Sequence, residues 1–100
     1  MNKEYCIMPI SDKPGMEWDN ERFVGSHRHE VFGGVANRHK SIEDGLVIFL
    51  TPEMHNMSDK GIHFNKEFSD YAKKVAQKRW MEFYNKDKDD FIRRYGRNYL

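Results

Sequence analysis

A chain of 100 residues has room for one domain and rarely for two, and its net charge of +1 (17 Lys and Arg against 16 Asp and Glu) lacks the basic excess usual in nucleic-acid binders. Hydrophobic residues at 38% and charged residues at 33% describe a polar globular chain with a small core, a class that often relies on a metal, a disulfide or a partner. The single cysteine, Cys6, excludes an intrachain disulfide, no run of about 20 apolar residues is present to span a membrane, and no apolar secretory stretch opens the chain, so the cytoplasm is the expected location.

Residues 1–22 carry Pro9, Pro14 and Gly15, which favours loops or short edge strands over a helix. Short extended pieces are predicted at Phe23 to Gly25 and at Glu30 to Phe32, followed by a sharp turn at Gly33-Gly34 where a positive φ costs little. The polar stretch 36–45, ANRHKSIEDG, ends in the turn signal Asp44-Gly45 and reads as a long connection. Leu46 to Leu50 is the most hydrophobic run, β-branched and aromatic, and Thr51-Pro52 stops it; a buried strand and a hairpin are predicted.

After the loop PEMHNMSDKG the period changes. Phe64, Phe68, Tyr71, Ala72, Val75, Ala76, Arg79 and Phe83 recur every three or four residues, which predicts one face of an amphipathic helix of about five turns. A second short helix is predicted from Lys88 to Tyr95, with Asp87 as N-cap, Asp90 three residues on, and Gly96 as the stop. The predicted order is strand, strand, helix, helix, an α+β chain. Trp18 and Trp80 read as packing residues rather than base-stacking platforms.

Five histidines occur, His27, His29, His39, His55 and His63, none inside the amphipathic helix. Histidine is the commonest metal ligand, and loops on a rigid scaffold are where chemistry tends to sit. Any one of them alone reads most simply as a surface residue, but four around one strand–strand–helix unit point to a shared site, although no C-x-x-C or H-E-x-x-H motif is present. His27 reads first as a solvent-facing residue ahead of the strand and second as a neighbour of the site. Arg38-His39-Lys40 reads either as a phosphate contact or as an exposed loop. Lys66, Lys73, Lys74, Lys78 and Arg79 read first as a solvated helix face and second as a surface that tracks a groove.

The segment HRHEVFGGVANRHKSIEDGLVIFLTPEMHN resembles the HNH, or ββα-metal, nuclease motif. It is most similar to small HNH-type proteins encoded by phages and prophages of Gram-positive bacteria, and more distantly to phage nucleases that act with a recombinase. The likeness runs through GIHFNKEF to FIRRYGRNYL and covers residues 27–100, with 1–22 matching loosely. It implies a short hairpin packed on a long helix, within one domain 1–100: an irregular segment 1–22, a ββα core 27–84, and a C-terminal helix and tail 85–100. It also implies a metal-dependent DNA endonuclease in the cytoplasm of a bacterial host, with DNA and a phage or host recombination protein as partners. One divalent ion is implied, with Mg, Mn, Ni and Zn equally open. By resemblance His29 and Glu30 form the catalytic pair, Asn37 is the motif asparagine, and His29, His55 and His63 hold the metal.

The sequence departs from that family in three places. Where relatives carry two Cys-x-x-Cys pairs, this chain has Cys6 and Pro9, then Thr51 and Met54, so no structural zinc knuckle is expected and Thr51 and Met54 are expected to pack that corner. Glu30 stands where the general base is usually histidine. Either Glu30 is the base with His29 a ligand, or His29 is the base with the ion on His55 and His63, or the chain is a non-catalytic nucleic-acid- or protein-binding module on the same scaffold. Asn37 either bridges the connecting loop back to the hairpin or is a turn residue with no wider role.

Overall fold

Two short strands carry the site. In the computed structural model, which describes residues 4–100, β1 (His27–Glu30) pairs antiparallel with β2 (Val47–Leu50), placing His27 opposite Leu50 and His29 opposite Ile48. Every residue of β2 is buried, as its apolar run demands. Its second edge is covered by the N-terminal segment, where Asp19 and Phe49 exchange both backbone hydrogen bonds at 2.9 Å, and Cys6 Sγ donates to the Val47 carbonyl. That segment also sends Ile7, Met8, Met16 and Trp18 into the core.

The connection expected over 36–45 is instead a helix, α1 (Gly34–Glu43). It has no apolar stripe, and Ser41 is its one buried residue, so periodicity could not reveal it. Tertiary polar contacts hold it. Ser41 Oγ accepts from the Phe32 N–H at 3.2 Å and donates to the Leu46 carbonyl at 2.6 Å, clipping the helix to the chain just past β1 and just ahead of β2. The element order is therefore strand, helix, strand, a π-helical turn at Glu53–Met57, and two further helices. The extended piece expected at Phe23 to Gly25 is also corrected: Ser26 N–H closes a turn onto the Phe23 carbonyl, with Gly25 at φ +82°. Val31 and Phe32, beyond the end of β1, are buried core residues.

α2 (Lys66–Tyr84) starts two residues later than the first apolar residue of its predicted face, because Asn65 caps it by accepting from the Phe68 N–H. Phe68, Ala72, Ala76 and Trp80 form the buried stripe at four-residue spacing, whereas Phe64 and Phe83 are exposed. Asn85, in the left-handed region at φ 54°, ends the helix. α3 (Lys88–Tyr95) has the predicted bounds: Asp87 and Asp90 form a reciprocal capping box, and Gly96 at φ +94° closes it. Its Phe91 and Tyr95 rings pack on Phe32 and Trp80, so both tryptophans are core residues as predicted.

One carboxylate ties these helices together. Asp44, buried just after α1, accepts from Trp80 Nε1 (2.8 Å), Tyr95 Oη (2.7 Å) and Arg94 Nε (2.6 Å). Burial and this carboxylate hold the Tyr95 hydroxyl well above its ordinary range. The result is an α+β fold built from a two-stranded antiparallel hairpin and four helical segments among the described residues. None of these helices is long and apolar enough to cross a membrane.

Candidate metal centre

Alternation along β1 directs His27 and His29 to the same face of the hairpin. His55 reaches that face from the π-helical turn, which begins where the Met54 and His55 N–H groups bond to Thr51 Oγ1 and O. Single-turn π segments are rare and concentrate at functional sites. Met54 is half-buried against the core, while Thr51 is exposed and its hydroxyl accepts from the Met54 N–H, so the expected Thr51–Met54 packing holds for the methionine alone.

His63 arrives on the returning chain just ahead of α2. The Ile62 N–H donates to the Met54 carbonyl at 2.7 Å and the His63 N–H to the His55 carbonyl at 3.2 Å, while the Ile62 side chain anchors in the core. Gly61 permits this approach. A Cβ there would sit 2.8 Å from the His55 carbonyl oxygen and 2.9 Å from that of Glu53.

One ring nitrogen from each of His29, His55 and His63 lies within 4.8 Å of the others. His55 Nε2 is 2.9 Å from His63 Nε2, and its opposite nitrogen, Nδ1, is 3.0 Å from His27 Nδ1. Burial, with added repulsion from His63, His55 and Lys73, pushes the His29 imidazole down to about 3, so it is neutral at pH 7. Burial, then His63 and His27, also lowers His55, with Glu30 opposing. Imidazole nitrogens converging at this range are the donor set that a borderline divalent cation takes. The residues fit such an ion.

The histidines sit in an open groove of about 1020 Å³. Arg28, Arg38, Lys66, Lys73 and Arg97 line it, against two carboxylates, Glu30 and Asp70. The lining therefore has a formal charge of +3 in a chain whose total is +1. Composition hid this, because acidic residues elsewhere cancel it.

Of the residues singled out from sequence, the fold brings together His29, His55 and His63, with Glu30 on the same groove wall. Glu30 Oε1 accepts from Arg38 Nε at 2.9 Å, its side chain only 11% exposed. Asn37 does not line the groove; its Nδ2 donates to the Tyr95 carbonyl at 3.1 Å and so ties α1 to the end of α3. His39 is exposed on α1. His27, expected to face solvent, is half-buried against His55, and its two-residue offset from His29 was the signal available for it. Lys74 and Lys78 are exposed, and Arg79 Nε donates to the Ile7 carbonyl. Compared with protein-family models, curated proteins and solved structures, the chain matches none.

Proposed function

We propose that the histidine group holds one divalent cation and that the groove hydrolyses DNA phosphodiester bonds as an HNH-type, ββα-metal nuclease does, in phage or prophage DNA processing. The observation that carries this reading is the convergence of His29, His55 and His63 from a strand, a π-helical turn and a helix approach. A cation bound there supplies Lewis-acid stabilisation of charge developing on the phosphate.

The remaining roles fall to this chain's own groups. His29, His55 and His63 donate nitrogen lone pairs. Burial suits His29 to that task better than to proton abstraction, which leaves Glu30 as the base. Arg38, 69% exposed, transfers its guanidinium from Glu30 to a DNA phosphate, freeing the carboxylate to take a proton from water. The other groove cations hold the backbone on either side of the reacting phosphate.

The Arg38–Glu30 ion pair is also the observation that favours the second reading, a binding module without catalysis, because the guanidinium occupies the carboxylate oxygen that a water would have to reach. Plasmid relaxation with magnesium, manganese, nickel, zinc or EDTA separates the two. The nuclease reading expects metal-dependent nicking that His29→Ala and His63→Ala each abolish while the fold persists. Nicking by both variants at the parent rate overturns the site, and DNA binding without nicking under every metal establishes the module.

A further inference from the structure

We infer that the groove takes a single-stranded or locally unpaired DNA segment, with the Phe64 ring serving as the stacking surface for one base beside the histidine group. This rests on the reading of the groove as a nucleic-acid site and names the form of DNA it accepts.

Phe64 is 66% exposed on the groove wall, directly after His63 and directly before the α2 cap residue Asn65. Its backbone is held on both sides. The Phe64 N–H donates to the Gly61 carbonyl at 2.9 Å, and Asn65 is fixed by its bond from the Phe68 N–H. The ring is thus presented from an ordered backbone, which limits the entropy lost when something packs on it. Elsewhere on the lining, Gly33 and Gly34 have nothing within 4 Å of where a Cβ would be, so that stretch leaves room for a sugar or base.

Cations complete the arrangement. Lys73 Nζ lies 5.7 Å and the Arg97 guanidinium 4.9 Å from the centre of the Tyr99 ring, which positions both charges on the groove and leaves Phe64 as its exposed aromatic. A basic track with an exposed aromatic face is the pattern by which proteins hold single strands irrespective of sequence. Within a duplex both faces of a base are already covered by its neighbours, and a ring must pay for unstacking them, so stacking on Phe64 favours a base that is already unstacked.

The test is binding of the full chain, in EDTA, to a labelled strand of about 15 nucleotides and to the same strand annealed to its complement, read by fluorescence anisotropy. The parent binds the single strand more tightly than the duplex. Phe64→Ala lowers single-strand affinity roughly 5- to 100-fold, leaves duplex affinity unchanged, and Phe64→Trp restores it. Phe83→Ala, an exposed aromatic on α2 outside the groove, changes neither. Thermal unfolding of Phe64→Ala at the parent temperature certifies the fold. Equal affinity of the parent for both forms, no loss in Phe64→Ala, or equal loss on strand and duplex each overturns the inference. Because cleavage is not the readout, nicking without strand preference sinks this inference alone, and strand preference without nicking sinks only the nuclease reading.

Discussion

The two nitrogens of the His55 ring face different histidines: Nδ1 lies 3.0 Å from His27 Nδ1, and Nε2 lies 2.9 Å from His63 Nε2. A neutral imidazole has one N–H and one lone pair. If Nε2 is the atom offered to the proposed ion, the proton is on Nδ1 and is donated to His27, whose own proton is then on Nε2. His27 therefore sets the tautomer and ring orientation of His55. Removing such an outer partner commonly weakens metal binding by about 10- to 100-fold. His27→Phe should show that loss in calorimetric titration with zinc or nickel, and His27→Gln, which keeps an acceptor, should recover part of it. Unchanged affinity in His27→Phe would show that the contact is packing alone.

Gly61 controls how close the two loop histidines come. Any side chain there meets the backbone carbonyls of Glu53 and His55, which cannot rotate away as a flexible side chain would. Gly61→Ala should cost about 1–3 kcal/mol in urea unfolding. The same shift separates His63 from His55, so metal affinity should fall with it. A variant with parent stability and parent affinity would contradict the close approach.

Asp44 is a structural carboxylate remote from the groove. Its replacement by alanine leaves Trp80 and Tyr95 without this acceptor and leaves Arg94 with Glu43 alone. Arg94 is partly exposed, so water recovers some of the loss, and a destabilisation of about 3 kcal/mol is expected, at the low end for breaking a buried ion pair. Asp44→Ala should lower the urea midpoint strongly, yet leave metal binding intact where the protein remains folded. Loss of binding in the folded variant would place Asp44 in the site instead.

The acid limb of stability has an identifiable contributor. The Asp87 backbone N–H, then Arg93, hold the Asp90 carboxylate below its ordinary value, so the folded state favours its charged form. That contribution is complete above the unfolded carboxylate value near 4 and disappears as pH falls through the lower folded value. Asp90→Asn should therefore be less stable than the parent at neutral pH, with the gap closing as pH falls towards about 2. A gap that is the same at both ends would assign the effect to shape rather than charge.

Lys73 and Arg97 test the electrostatic half of the functional reading. Each lines the groove beside Tyr99. Replacement of either by alanine should weaken DNA binding at low salt and reduce the slope of log affinity against log salt by about 0.7–0.9. Lys78→Ala, on an exposed part of α2 outside the groove, should leave the slope as it is. Equal slopes for all three variants would remove the groove from the DNA path.

What could be read before folding follows from local physics. The buried β2 and both ends of α3 were legible because an unbroken apolar run, a capping Asp and a stop Gly act within a few residues of themselves. α1 was not legible. Its stability comes from Ser41, Asn37 and Lys40 reaching other elements, and residues with no apolar period leave no helical signature. Phe64 was misplaced because spacing cannot distinguish a residue inside a helix from one just ahead of its cap.

The amino-acid order alone determined an α+β chain with a buried strand, a long amphipathic helix and histidines gathered around them. Only the tertiary structure decided that His27 joins His55, that Asn37 serves α3, and that five cations line one groove. Strand alternation and helix caps act over neighbouring residues. The meeting of ring nitrogens from residues 27, 29, 55 and 63 depends instead on a π-helical turn and on the close passage of Gly61, which exist only once the core is assembled.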